Sequence, residues 1–586
     1  MTDLSARMSN LNPFGRSGSD EDEDRGEHFG ADSVAGGGRF HRNADQDKEQ
    51  LRVSHALRSF LVKQGLLSEA DADSDTQEHS DRLDQLLEQN PCTVPEHLMD
   101  RSRPLPEYFI SSSHNTYLVA HQLYGASSAS AYETALNTGS RCVEIDAWDN
   151  GEDADEPKVT HGYTLVSHVP FRAVCETIRK VFDEELELAS TDPTFFAAPI
   201  LLSLENHCGD HGQLRLVQIM KEVFGDRLLS EAVRHAGHRE QDGSGGHVTL
   251  DDLGPRITVI VEYHFPGLDE LSESGSGCTS DSEDGPGGSE DDRESGDRRR
   301  ERAAAWSVIV PELAELGVYA QSVKPVDNSW YDPGKLTNGP HHHLINVSES
   351  GLARHLPGHA GPIARHNAHH LMRVYPKGTR ISSSNLKPVA FWAIGAQICA
   401  LNWQSFGTSN QLNEALFSGS DGYVLKPAAL RAAGDGRLGA GRRRRLRLHV
   451  AGATGIPLHE DREADSIKPY LTCNLYSPCR IEGETHKRKT SPYRQHRLGF
   501  LHRGENPPAV DPVWDETLEW VYEDNELVFL RMLIKSDDAW VRNPMFAVAA
   551  VRLLYAEPDW SFVRMLDMKG GETDCTVLVK FTFEDA

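Results

Sequence analysis

Tyr108-Phe-Ile-Ser-Ser-Ser-His114-Asn115-Thr-Tyr117 is an apolar run that breaks into small polar residues and then presents an imidazole beside an amide. A buried strand has this look where it surfaces into a site. Further along, Arg141-Cys-Val-Glu144-Ile-Asp146-Ala-Trp148 alternates, which puts Val143 and Ile145 on one face and Glu144 and Asp146 on the other. Two carboxylates on the buried side of a strand are costly unless a cation or a partner meets them.

Outward from these two segments the chain keeps a rhythm. Strand-like runs at 108–112, 142–147, 200–204 and 257–261 alternate with helical spacing at 129–136 and 171–182. Strand–helix alternation implies a parallel sheet, and polar residues gathered at strand C-termini suit a βα barrel. Residues 269–302 then lose nearly all bulky apolars and carry Asp281, Glu283, Asp284, Glu290, Asp291 and Asp292, which predicts a solvated insert. Strand signals resume at 317–323, 388–392, 398–403 and 422–426. Neither half has strands enough to close alone, so the expected fold is one α/β TIM-type barrel split by a disordered acidic linker.

The flanks read differently. Residues 1–50, with Ser19-Asp-Glu-Asp-Glu-Asp24, are predicted to be disordered. Leu57, Phe60, Leu61, Leu83, Leu86 and Leu87 keep helical spacing and predict a short helical region. Asp71-Ala-Asp73-Ser-Asp75 invites a calcium-loop reading, but Thr76 and Arg82 stand where the loop needs Gly and Glu, so this is a degenerate EF-hand-like hairpin. Past a Gly/Arg-rich stretch, short runs at 446–450, 470–475, 518–521, 527–534 and 576–583 predict a C-terminal antiparallel β-sandwich. The expected boundaries are 1–50, 51–103, 104–267, 268–304, 305–432, 433–445 and 446–586.

Bulk properties narrow the function. A length of 586 residues exceeds one hydrophobic core, and a net charge of −29 argues against nucleic-acid binding. The nine cysteines are scattered without CxxC spacing, which predicts reduced thiols and a cytoplasmic setting. No apolar run is long enough to cross a bilayer, so any membrane contact is expected to be peripheral.

Asn115, Glu144, Asp146 and Glu205 make a hard-oxygen set suited to Ca²⁺ or Mg²⁺. His114 and His161 beside such a cation suit phosphoryl transfer. Any one of these residues more often caps a turn than catalyses; six of them at consecutive strand ends point to a site. His341-His-His343 and His369-His370 read instead as solvated or core histidines.

Ser111-Ser-Ser-His-Asn-Thr-Tyr117, Cys142-Val-Glu-Ile-Asp-Ala-Trp-Asp149, His161-Gly-Tyr-Thr-Leu165 and Leu202-Ser-Leu-Glu-Asn-His-Cys208 resemble the X box of eukaryotic phosphoinositide-specific phospholipase C. Val310-Pro-Glu-Leu313, Arg365-His-Asn367, Arg373-Val-Tyr-Pro376, Ser382-Ser-Ser-Asn385 and Gly422-Tyr-Val-Leu-Lys-Pro427 resemble its Y box, and the sandwich resembles the C2 domain that follows. The resemblance is to a delta-like, fungal-type form without a pleckstrin-homology domain. It implies Ca²⁺-dependent cleavage of a phosphoinositide to diacylglycerol and an inositol phosphate, by attack of the inositol 2-hydroxyl on its own phosphodiester. By match of motif, His114 stabilises the pentacoordinate phosphate and His161 is the general acid. Asn115, Glu144, Asp146 and Glu205 hold Ca²⁺, and Glu144 or Glu205 is the base. Arg373 contacts a ring phosphate and Tyr375 packs on the inositol.

The chain departs from the family in places. Ile260 and Glu262 stand where relatives carry phosphate-binding lysines, and Asn346 replaces a serine contact. Glu262 repels a phosphate, so a weakened preference for the bisphosphate is expected. In the sandwich, Lys468 replaces a usual aspartate, while Asp537 and Asp538 keep part of the acid set. Arg442-Arg-Arg-Arg445 with Arg447 offers a handle on an anionic membrane, and the acidic linker is a candidate cover for the barrel mouth. The expected partners are that membrane and its phosphoinositide, met by a monomer with no protein activator specified. Two rival readings are a silent lipid-binding scaffold and a barrel phosphodiesterase acting on other glycerophospho-substrates.

Overall fold

The computed structural model describes residues 51–586 apart from 73–79, 120–125, 161–166, 235–246, 265–308, 497–505 and 538–543, with shorter gaps at 326, 333–335, 337–338, 378–379, 381–383, 440, 459–461, 480 and 482. The acidic segments 1–50 and 268–304, the Asp73–Asp75 part of the hairpin loop, His161 and Asp538 therefore lie outside the described residues.

Eight parallel strands form the barrel: β1 (Tyr108–Ile110), β2 (Cys142–Trp148), β3 (Ile200–His207), β4 (Ile257–Glu262), β5 (Gln321–Val323), β6 (His343–Ser348), β7 (Leu371–Tyr375) and β8 (Ile398–Cys399). The ladder runs β1-β8-β7-β6-β5-β4-β3-β2, and a parallel bridge from Ser112 to Cys142 closes it. β4 and β5 flank the 265–308 gap and pair directly, with Gln321 opposite Val261 and Ser322 opposite Glu262. The two halves thus make one TIM-type barrel.

Period-two alternation sorts the side chains. Val143, Ile145, Ala147, Leu202, Leu204, Val259 and Val261 point outward, onto Val174, Ile178 and Phe182 of helix Phe171–Thr191 and Leu216, Met220 and Phe224 of helix Asp210–Phe224. Each such buried side chain is worth roughly 1.5–3 kcal/mol. The alternate set, Glu144, Asp146, Ser203, Glu205, Ile260 and Glu262, is left facing the barrel interior.

Some expected elements changed. The 388–392 run is a helix, Pro388–Trp392, not a strand. Pro at its first turn is pre-set for a helix, and five apolar residues carry no period that separates helix from strand. β6 and β7 were not among the expected strands, because β6 opens on a histidine and both interrupt their apolar residues with polar ones.

The C-terminal region is an antiparallel, C2-like sandwich of β9 (Arg443–Thr454), β10 (Pro469–Tyr476), β11 (Lys487–Lys489), β12 (Val513–Glu523), β13 (Phe529–Ser536), β14 (Met545–Arg552), β15 (Trp560–Leu566) and β16 (Glu572–Asp585). The order is β11-β10-β13-β14-β15-β16-β9-β12, and β14 meets β15 at the single pair Val548–Leu566, where one layer passes into the other. The helices His55–Lys63 and Asp81–Glu88 start at serine caps and lay Leu57, Phe60, Leu61, Leu83 and Leu86 on Ala451, Trp560, Phe562 and Leu578 of the sandwich. On the barrel side, Arg531 Nε donates to Gln411 Oε1 at 2.6 Å, and Tyr555 donates to the Leu416 carbonyl at 3.0 Å.

Much of the expected basic handle is neutralised. Arg442 pairs with Asp585 at 2.5 Å, Arg444 with Asp524 at 3.7 Å, and Arg447 with Glu519 and Glu584 at 2.8 Å. The eight described cysteines are free thiols, and among the described residues no helix is long and apolar enough to cross a membrane.

Candidate active site

Past β1 the chain makes a two-residue strand, Ser113–His114, that pairs in parallel with Leu401–Asn402 and sets His114 beside Asn402. His114 Nδ1 lies 2.8 Å from Asn402 Oδ1. The Asn402 amide nitrogen donates to the Ser384 carbonyl at 3.1 Å, so its oxygen must face the imidazole and accept the Nδ1 proton. Asn385 grips the Asn402 backbone on both sides, accepting from its N–H at 2.6 Å and donating to its carbonyl at 2.9 Å. The other ring nitrogen, Nε2, faces Glu144 Oε2 at 3.9 Å. Burial pushes the His114 pKa down, and the Glu144 carboxylate works against that shift.

Asn115 takes a left-handed backbone conformation (φ 47°), which asparagine tolerates better than most residues. The turn aims its backbone N–H at Glu144 Oε2, 2.7 Å away. Thr116 Oγ1 accepts from the Glu144 backbone at 3.0 Å, and Tyr117 donates to Asp146 Oδ2 at 2.5 Å. The opening motif is therefore stitched to β2 residue by residue.

Register brings the acids together. Asp146 stands opposite Glu205 on β3, two pairs beyond Glu144 and Ser203 and on the same face. Oxygens of Glu144, Asp146 and Glu205 lie within 4.8 Å of one another. Burial, then the charges of Glu205 and Glu144, raise the Asp146 carboxyl well above the usual range. For Glu205, whose side chain is half-exposed at the mouth, partial desolvation pushes upward, but His207, Arg373 and Lys324 outweigh it and lower its pKa. Arg373 on β7 donates to Glu144 Oε1 at 2.5 Å and to Asn346 Oδ1 at 3.2 Å, with its guanidinium 5.7 Å from the centre of the Tyr375 ring.

Asp146 Oδ1 is buried with no hydrogen-bond partner. A buried carboxylate oxygen rarely lacks one. With two more carboxylates beside it and a single arginine on Glu144, the donor set fits a hard divalent cation that Glu144, Asp146 and Glu205 could hold, with Asn115 at its edge.

The structure gathers His114, Asn115, Glu144, Asp146, Glu205, Asn346, Arg373 and Tyr375 at the C-terminal mouth of the barrel, where catalytic groups of this architecture sit. His161 lies outside the described residues. Ile260 and Glu262 face the same mouth, with His264 Nε2 3.9 Å from Glu262. Sequence reasoning missed Asn402, Asn385 and Tyr117. Tyr117 closes the quoted motif, and Asn402 repeats the signal of a polar residue ending an apolar run.

Comparison with known proteins agrees with the motifs. Residues 101–263 match the "Phosphatidylinositol-specific phospholipase C, X domain", and 313–429 match its Y domain. The 1-phosphatidylinositol 4,5-bisphosphate phosphodiesterase delta-3 of Mus musculus is 32% identical over 480 residues, 80% of this chain and 55% of that protein. A 1-phosphatidylinositol 4,5-bisphosphate phosphodiesterase of Dictyostelium discoideum is 31% identical over 481 residues, 75% of this chain and 54% of its own length. The crystal structure of S. officinalis PLC21 superposes with a TM-score of 0.64 at 23% identity, covering 88% of this chain and 60% of that one, which speaks to the fold. The chain thus spans little more than half the length of the curated relatives it matches. With both catalytic-domain matches in order and the barrel they imply closed around one acidic mouth, the chain belongs to the eukaryotic phosphoinositide-specific phospholipase C family.

Proposed function

We propose that this protein is a Ca²⁺-dependent phosphoinositide phospholipase C, a phosphoric diester hydrolase. It cleaves an inositol phospholipid at an anionic membrane surface to diacylglycerol and an inositol phosphate. The observation that carries this reading is the carboxylate triad around the unpartnered Asp146 Oδ1, set beside His114.

Asn115, Glu144, Asp146 and Glu205 are the residues that would hold Ca²⁺. When bound, the ion supplies positive charge that neutralises the phosphodiester and lowers the pKa of the attacking hydroxyl. His114 rests neutral, its Nδ1 proton on Asn402. An anionic phosphodiester beside Nε2 joins Glu144 in favouring the imidazolium, so the ring takes a second proton from solvent as substrate binds and donates it in a hydrogen bond to the phosphoryl oxygen that gathers charge. The inositol 2-hydroxyl is tethered to the phosphate it attacks, so orientation supplies much of the rate. Glu144 takes the hydroxyl proton, and Arg373 and Tyr375 keep the ring facing it. By its motif, His161 protonates the departing diacylglycerol oxygen and later activates the water that opens the cyclic phosphate.

The Ile260 and Glu262 positions favour less phosphorylated headgroups than those of lysine-bearing relatives, so the preference for the bisphosphate over phosphatidylinositol and its monophosphate is weakened. Release of water-soluble inositol phosphate from vesicles, with calcium and with a chelator, tests the reading. Calcium-dependent release that His114→Ala abolishes is expected. Headgroup binding without release would make the chain a scaffold, and release from other glycerophospholipids instead would make it a different phosphodiesterase.

A further inference from the structure

We infer that Lys324 contacts a phosphate monoester on the inositol ring, supplying from β5 the cation that β4 lacks. The inference rests on the phospholipase C reading above and deepens it.

Register places the residue. Parallel partners share a face, and Glu262 on β4, inward by alternation with Ile260, pairs with Ser322 on β5. Ser322 therefore faces inward, and continuing the alternation one residue past the end of β5 puts Lys324 on the same side. Val323 pairs with Ile345, so one step further Lys324 comes level with Asn346 on β6. Asn346 in turn pairs with Arg373 on β7. Lys324, Asn346 and Arg373 thus occupy consecutive inward positions around the mouth, on strands about 5 Å apart. A lysine stem easily spans that spacing.

Two further observations point to an anionic ligand there. Arg373 is 3% exposed, donates through both terminal nitrogens, and still leaves its Nε without an acceptor. The Lys324 charge also acts on Glu205, which puts it within electrostatic reach of the carboxylate triad. A phosphate monoester set between β5 and β7 would meet Lys324 on one side, Arg373 on the other and the Asn346 amide between them. Placed over β4 it would meet Glu262 instead. The arrangement therefore moves the phosphate contact one strand along the barrel rather than abolishing it.

The test is the full chain and its Lys324→Ala and Lys324→Arg variants, assayed on vesicles of one composition doped with phosphatidylinositol, its monophosphate or its bisphosphate. Lys324 is exposed, so neither change disturbs the core. The expected result for Lys324→Ala is a loss of roughly ten- to a hundredfold in kcat/KM on the phosphorylated lipids, the factor a hydrogen bond to a charged group supplies, against a several-fold smaller loss on phosphatidylinositol. Lys324→Arg should restore most of it. Equal losses on all three lipids would mean that Lys324 acts through Glu205 alone, and equal retention would mean that it touches no phosphate; either overturns the assignment while leaving the phospholipase C reading intact. A wild-type chain that cleaves none of the three lipids overturns that reading and the assignment with it.

Discussion

Asn402 accepts the Nδ1 proton of His114 at 2.8 Å, across 288 residues of chain, and so leaves Nε2 as the ring nitrogen that faces Glu144. The Asn402 amide is fixed by the Ser384 carbonyl, so it cannot rotate to offer a proton instead. One side chain from the second half of the barrel thereby sets the tautomer of a histidine from the first.

Replacing Asn402 with Ala should lower kcat by about tenfold to a hundredfold with little change in KM, because it frees the ring without touching the headgroup contacts. Asn402→Asp should instead raise the His114 pKa, since a carboxylate on Nδ1 favours the imidazolium. The arm of the pH–rate profile that belongs to His114 would then move to higher pH. A profile unchanged by Asn402→Asp would show that His114 does not titrate in the rate-limiting step.

Asp146 is protonated more readily in the fold than in the unfolded chain, so its carboxyl adds stability at low pH and loses it as pH rises through the raised folded value. At neutral pH without calcium, Asp146→Asn should therefore be at least as stable as the wild type. Added calcium should raise the melting temperature of the wild type and leave the variant nearly where it was. Equal shifts in both would place the ion elsewhere.

A second consequence of pH lies at the N-terminal ends of β6 and β7. His343 and His366 meet through their Nε2 atoms at 2.8 Å, and His370 stacks on His343 with ring centres 3.9 Å apart. Burial pushes His343 down to about 4 and His366 down to about 3, helped by neighbouring histidines and, for His366, by Lys426. A histidine with a depressed folded pKa contributes stability above its unfolded pKa, near 6.5, and loses it as pH falls through the folded value. Thermal melts should show stability declining from about pH 6.5 towards pH 4, by several kcal/mol if the ring pair charges in the unfolded state only. His366→Gln should flatten that dependence; an unchanged slope would assign the acid lability to other groups.

Arg141 and Glu185 form a bidentate ion pair with side chains 0% and 3% exposed, tying the start of β2 to helix Phe171–Thr191. Arg141→Met removes this ion pair from a buried carboxylate and should destabilise the barrel by about 3–5 kcal/mol. The double change Arg141→Met with Glu185→Leu should recover much of that loss. A single variant as stable as the double would mean that Glu185 reaches water when its partner is gone.

The hard-oxygen set was legible because its members sit at the ends of apolar, alternating runs. Glu144 and Asp146 could be assigned to the inner face of β2 from period two alone, and the 4.8 Å clustering with Glu205 follows once β2 and β3 pair in parallel. The Pro388–Trp392 helix was not legible, since five apolar residues suit either a strand or a helix until they meet a surface. β6 and β7 were hidden for the opposite reason: Asn346 and Arg373 interrupt the apolar pattern because they belong to the mouth.

From its sequence alone this protein was determined to be a split βα barrel followed by a sandwich, with two imidazole-bearing motifs and a set of oxygen ligands for one site. Local periodicity carries that much, because burial sorts residues by face within a single strand. Only the tertiary structure decided how residues hundreds of positions apart complete one another. Asn402 orients His114, Arg373 neutralises Glu144, and Lys324 comes level with Asn346 through the pairing of β5 with β6, while β4 and β5 pair across residues 265–308 to join the two halves. Register between strands is a property of the closed barrel, and no residue's own neighbours in sequence encode it.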